Sequence, residues 1–272
     1  MRIGRGETIM VTLEKVRRDA PWSWIKGGIA DMRAAPVTSI GYGATFTLLG
    51  IAITLGLSML GMAGFVPVFV GGFALVGPVF AVGIYCVSQK LHDGETPGML
   101  DFWRISPSRL TQMGLLTVLL FVFFLAWARL AQFLFVMFAA GDADYRIAST
   151  ASFLFSDPSG VTLLAVGTAI GAALGFAAFM VSALSFPMIV DQDVDAVTAM
   201  VASVKAVFAQ PFVMGTWALL IAFFVALGAA FFLIGLAVTF PLIAHASWRA
   251  YKDFAPKPMP SARELAEKTS EA

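Results

Sequence analysis

The sequence predicts an all-α fold, a polytopic membrane bundle of six transmembrane helices with short amphipathic helices at the membrane surface. Three observations carry that expectation. Of the 272 residues, 59% are hydrophobic and 13% are charged, whereas soluble domains are about one quarter charged. No Asp, Glu, Lys or Arg occurs from Ala34 to Gln89 or from Pro211 to Trp248, and roughly 18 uncharged apolar residues mark a membrane span. The basic residues, finally, cluster at alternate junctions between the apolar runs.

Each element follows in order. The first 33 residues mix acidic and basic side chains and lack the apolar stretch of a cleavable signal peptide, so the first span is expected to stay as an anchor. Within them, Trp22, Ile25, Ile29 and Met32 form a helical stripe suited to the headgroup plane. The 56 uncharged residues that follow would make a helix of ~84 Å, far beyond a ~30 Å hydrocarbon core. A break at "GMAG" (Gly61–Gly64) divides them into spans near 37–60 and 65–88. The third span begins at "SPSRL", with Ser106 as cap and Pro107 in the first turn. The fourth runs from about Val161 to Ile189. A second amphipathic stripe, Val194, Val197, Val201, Val204 and Phe208, precedes Pro211. The last uncharged stretch is expected to fold as two short spans turning near Gly228.

Charge fixes the orientation. With six spans, 16 of the 18 basic residues lie on one side, from Arg2 through Lys90, Arg109 and Lys205 to the tail residues Arg249, Lys252, Lys257, Arg263 and Lys268. Basic residues stay cytoplasmic. The expected layout is a cytoplasmic segment at 1–35, a membrane domain at 36–250 and a cytoplasmic tail at 251–272, in a bacterial inner membrane.

Prolines suggest a repeat. Pro36, Pro107 and Pro211 open the odd-numbered spans, and Pro78, Pro187 and Pro241 interrupt the return spans. The expected unit is an interfacial helix, a span and a proline-broken return span, three times over.

Few residues point to chemistry. Arg129, in "WARLAQ", lies ~30 Å along the third span from Arg109. It is read either as an interface anchor beside Trp127, neutralised by Asp142 and Asp144, or as a functional intramembrane charge. Gly167, Gly171 and Gly175 form a tandem GxxxG and predict close helix packing. Asp191, Asp193 and Asp195 mimic the start of a calcium loop, but Ala196 and Ala202 stand where its glycine and glutamate belong. They suit helix capping instead. Cys86 is the only cysteine, His92 and His245 are the only histidines, and no lysine lies within a span. No catalytic residue, cofactor or metal site is expected, and there is no GxSxG, GxxxxGK[ST] or HExxH. The dispersed juxtamembrane basic residues suit a lipid bilayer and not nucleic acid.

Three stretches, "WSWIKGGIADMRAAPVTSIGYG", "SFPMIVDQDVDAVTAMVASVKAV" and "FPLIAHASWRAYKDF", together resemble a bacterial family of predicted integral membrane proteins with a domain of unknown function, number 2189. Members are sometimes labelled cytochrome c oxidase subunit I-like. Two histidines cannot supply haem–copper chemistry, so the resemblance implies at most an association with a respiratory complex.

The functional expectation is an accessory, scaffold or assembly component of a larger membrane complex. The alternatives are a small-solute transporter or channel, whose path Arg129 and the return-span prolines would line, and a lipid- or quinone-binding protein with Tyr42, Tyr85 and His245 as polar contacts.

Overall fold

A chain with long uncharged stretches must satisfy its backbone internally once in hydrocarbon, and helices do so within one segment. The computed structural model describes residues 14–62, 65–98, 105–139, 147–231 and 233–255. A short interfacial helix α1 (Ala20–Ala34) leads into α2 (Pro36–Met59), and the return is made by α3 (Val66–Phe80) and α4 (Val82–His92). The second hairpin is α5 (Pro107–Ala139), the short α6 (Ile147–Ser156), then α7 (Pro158–Ser182) and α8 (Ser185–Asp191). The third is α9 (Ala196–Ala209), α10 (Pro211–Ala230) and α11 (Leu236–Phe254).

Among the described residues, five stretches are long and apolar enough to cross a membrane: Pro36–Met59, Val68–His92, Pro107–Phe138, Pro158–Asp191 and Pro211–Ala230. The protein is therefore an all-helical, multi-pass membrane bundle. The sixth expected span, α11, falls short of that measure because Arg249, Lys252 and Asp253 occupy its last turns. It is instead the pillar of the bundle, with 13 of its 19 residues buried against α1, α2, α4, α8 and α10. The turn before it lies at Phe231–Gly235, with Leu233 at φ 66°, a few residues beyond the expected Gly228. Gly228 packs directly on Gly235. At the first hairpin, Gly61 takes φ 71°, a conformation open to glycine without strain.

Expected prolines act where expected. Pro36, Pro107 and Pro211 begin their helices, where a missing N–H costs nothing, and Pro158 does the same for α7. Ser106 receives the Arg109 N–H at 3.4 Å, capping α5. The α1–α2 and α9–α10 junctions are alike. Single residues, Ala35 (φ −130°, ψ 62°) and Gln210 (φ −137°, ψ 62°), link an amphipathic helix to a proline-led span in both. The equivalent stretch before α5 lies outside the described residues.

One end of the bundle is densely knit, and it is the charged end. Trp24, Trp217, Trp248, Tyr251, Phe254 and Phe186 are all fully buried. Trp24 meets Trp217 edge-on at 5.5 Å and donates its Nε1–H to Asp253 at 2.6 Å. Asp31 accepts from Arg249 Nε at 2.8 Å in a two-pronged pair. Asp191 accepts from Tyr251 at 2.6 Å and from Lys252 at 3.1 Å. These bonds tie α1 and α8 to the end of α11.

The amphipathic helices keep much of the expected apolar stripe on the outer face and bury other residues against the bundle. In α1 the buried set is Trp24, Ile25, Gly28 and Asp31, while Trp22 is exposed. In α9 the small residues Ala196, Ala199, Ala202, Ser203 and Ala206 pack inward, and Val197, Val201 and Phe208 face outward. Small side chains allow close approach, and the outward valine stripe suits an apolar surrounding. Asp195 caps α9 by accepting from Thr198 N at 2.9 Å.

Gly43 fits against α11 where Pro241, lacking an N–H, leaves the Ala237 carbonyl without its i+4 donor. A Cβ there would lie 2.9 Å from Pro241 Cδ. Gly43→Ala should therefore lower stability by about 1–3 kcal/mol, although alanine is the better helix former. Gly215→Ala, which meets open space, should be neutral or stabilising, and thermal unfolding of both variants in detergent checks the contrast. Hydrogen bonds from Thr198, side chain first and then backbone, hold the Asp195 carboxyl below its usual 3.8. The cap thus contributes stability above that value and loses it as pH falls through the lowered one. Asp195→Ala should cost about 1 kcal/mol near neutral pH, and the difference from wild type should shrink in an acid titration of the melting temperature.

Candidate functional site

Away from the charged end the helices diverge. Between α3, α5, α7, α10 and α11 they enclose a cavity of about 1030 Å³, at the top of the range for small-molecule sites. On α7 it extends from Leu163 to Ala183, ~30 Å of helix and so about one hydrocarbon thickness. Its walls are apolar, with Phe73, Phe135, Phe179, Leu164, Ile221 and Val225 among them. A second cavity of about 470 Å³ lies between α2, α3, α5 and the α10–α11 hairpin. Phe73 and Phe240 border both cavities, their rings 6.0 Å apart, and form the partition.

Apart from Thr168 on α7, the polar side chains of the chamber lie towards its two ends. At the charged end are Tyr85, Ser182 and Ser247, all buried. These hydroxyls have partners within the protein: Ser182 donates to the Ala178 carbonyl at 2.7 Å, and the Ser247 hydroxyl stands beside that of Tyr85. At the far end is Gln132, on the rim.

Trp127 shapes the wall. Its Nε1–H donates to the Val68 carbonyl at 2.9 Å, and its ring lies over Gly71 of α3 and Gly171 of α7. It faces inward and bridges three helices, whereas the sequence suggested an interfacial anchor.

The sequence-selected residues fall as follows. Arg129 is exposed on α5, one turn below Gln132, whose Oε1 accepts from its Nη1 at 3.3 Å. Asp142 and Asp144 lie outside the described residues. Gly167, Gly171 and Gly175 all line the chamber. A Cβ at Gly167 or Gly175 would meet nothing within 4 Å, so the face expected to pack a helix opens instead on the cavity, and only Gly171 is covered, by Trp127. Pro78 lies three residues before the α3–α4 break and also lines the chamber. Pro187 lies just past the α7–α8 break, and Pro241 is inside α11 against α2. Of the three polar contacts considered for a ligand, only Tyr85 lines the chamber. Tyr42 donates to the Phe80 carbonyl at 2.8 Å, and His245 is held between Ser39 and Ser88. Among the described residues no three His, Cys, Asp or Glu side chains converge as a metal site would require.

The helix pairs that bear on the chamber coincide with a sequence match. Residues 65–191 match the model of a family described as "Predicted integral membrane protein (DUF2189)". This is the family that the sequence resembles. The DUF2189 region runs from the start of α3 to the end of α8 and so supplies three of the five chamber walls. No curated protein and no solved structure matches the chain.

Trp127→Phe keeps an aromatic ring in the wall and deletes the bond to Val68. It should lower the unfolding free energy by about 1 kcal/mol, read as a reduced melting temperature in detergent. An unchanged melting temperature would show that Trp127 does not secure α3.

Proposed function

We propose that this membrane protein binds the long apolar chain of a membrane amphiphile, a lipid or isoprenoid, in the chamber between α3, α5, α7, α10 and α11. One observation carries the reading: the size and apolarity of that chamber. The space is large enough for a drug-sized or larger ligand. Water fills polar cavities and leaves apolar ones dry. Hydrocarbon is the material at hand that matches the walls.

Other readings draw less support. Among the described residues no acidic side chain lines the chamber, so a solute path coupled to protons or sodium draws no support from them. An accessory role in a larger complex is compatible with chain binding, but no feature of the surface selects a partner. The gathering of Lys90, Arg109, Lys205, Arg249 and Lys252 around one end of the bundle supports a cytoplasmic placement of that end, where the two ends of the described chain also meet through the Glu14 N–H and the Phe254 carbonyl.

A phospholipid carrying a photoreactive group midway along one chain would test the assignment in membranes. Crosslinks should appear on chamber residues such as Ala172, Gly175 and Ala218, in addition to the outward-facing Leu55 and Phe208. Labelling confined to outward residues would refute it.

A further inference from the structure

We infer that the chamber's ligand carries a phosphate headgroup, held at the far rim by Arg129 and Gln132, with its chain directed towards Tyr85. This assignment rests on the chain-binding reading and names the ligand class.

The two ends of the chamber differ in what they offer. The hydroxyls at the charged end have partners within the fold, Ser182 with the Ala178 carbonyl and Ser247 beside Tyr85. They make no demand for a polar head. The rim is different. Arg129 is exposed and sits 22 residues past Pro107, ~33 Å along α5 and so at the height where a bilayer changes from hydrocarbon to headgroup. Its described hydrogen bond engages one of five guanidinium donors, and that bond orients the group towards Gln132, a residue of the chamber wall. With its Oε1 taken by Arg129, Gln132 has an amide NH2 left to donate. Guanidinium and amide together present a planar array of donors of one sign. Arginine forks fit phosphate oxygens in two-pronged geometry, and such charge-assisted bonds are about twice as strong as neutral ones.

The neighbouring geometry separates head from chain. Trp127, one turn before Ala131, is fixed across α3 and α7. Below it the lining is glycine, alanine and phenylalanine. Gly167 and Gly175 leave open space on α7 above and below the Trp127 ring, which covers Gly171 between them. A headgroup at Arg129 and Gln132 would therefore have its chain beside the open space at Gly167, on the apolar chamber wall. The same phosphate chemistry could come from a lipid or from a free anion, and the apolar wall favours the lipid.

The test uses the full chain, delipidated in detergent and offered equal amounts of phosphatidylglycerol and phosphatidylethanolamine, with bound species read by native mass spectrometry. Wild type should retain the anionic lipid in roughly tenfold excess. Arg129→Gln should bring the ratio close to one while total bound lipid stays the same. Gly167→Leu, which fills open space in the chamber, should abolish both lipids. An undiminished preference in Arg129→Gln, with Gly167→Leu still blocking, would overturn the headgroup assignment and leave chain binding intact. Undiminished lipid in Gly167→Leu would overturn chain binding itself. Stabilisation of the delipidated protein by inorganic phosphate alone, lost in Arg129→Gln, would make the site one for a soluble anion and overturn the lipid. Circular dichroism and melting curves on both variants identify any that fail to fold, and Arg129→Lys, retaining charge without the fork, should show an intermediate preference.

Discussion

His245 is fully buried and holds three helices together. Its Nε2 lies 2.9 Å from Ser39 Oγ on α2, and its Nδ1 lies 2.7 Å from Ser88 Oγ on α4. The proton positions follow from counting donors. The Ser39 hydroxyl gives its hydrogen to the Ala35 carbonyl, so towards His245 it can only accept. Nε2 must then carry the proton, and Nδ1 must accept from Ser88. Each serine supplies one of the two roles, and the neutral ring is satisfied on both sides. A buried polar network of this kind is costly if any member is missing and specific when complete. It sets the register of α11, and the Asp31–Arg249 pair and the Gly43 contact lie on either side of it. That register determines which α11 residues, Phe240, Ile243, Ala244 and Ser247, reach the chamber.

The contrast between the two ends of the bundle follows from the medium. In hydrocarbon, helices gain nothing from hiding apolar surface, and association depends on close packing and hydrogen bonds. The charged end has both: tryptophans in edge contact, buried serines, and ion pairs at the headgroup boundary. The α7 helix shows the other regime, with only Gly160, Leu163, Ala178 and Ser182 buried among its 25 residues. Its Gly167, Gly171 and Gly175 omit side chains without bringing a backbone into the space they leave.

The order and breaks of the spans, and five of the six expected, were legible in the sequence because they depend on one-dimensional quantities: uncharged length, proline position and turn residues. The interior was not. The α1 stripe of Trp22, Ile25, Ile29 and Met32 is a valid helical pattern, but the helix turns Trp24, Gly28 and Asp31 inward instead. Asp31 could go inward because Arg249, more than 200 residues away, meets it there. The GxxxG pattern specified a smooth face and nothing about what would occupy it. Trp127 read as an interfacial anchor because its neighbours are lipid-facing, and the carbonyl that orients it belongs to another helix. A buried histidine with two serine partners leaves no local mark beyond a lone His in an apolar run.

The proline breaks mark the boundary between the tight and hollow parts. Past Pro78 the chain interrupts at Ala81, and α4 continues with Gly83 to Ser88 all buried. Past the Ala183–Leu184 interruption, α8 buries Ser185 to Val190 without exception. Had α3 and α7 continued straight, either the lower segments would miss the His245 network and the Tyr251–Asp191 contact, or the upper segments would close together. A break in each return helix lets one half pack and the other stand apart. Pro78 and Pro187 also remove the i+4 donors of the Ala74 and Ala183 carbonyls. A bundle selected only for stability would avoid two such losses in hydrocarbon, where an unsatisfied backbone group costs several kcal/mol. The Ala74 and Ala183 carbonyls so affected belong to the chamber wall, which argues that the space is what the fold maintains.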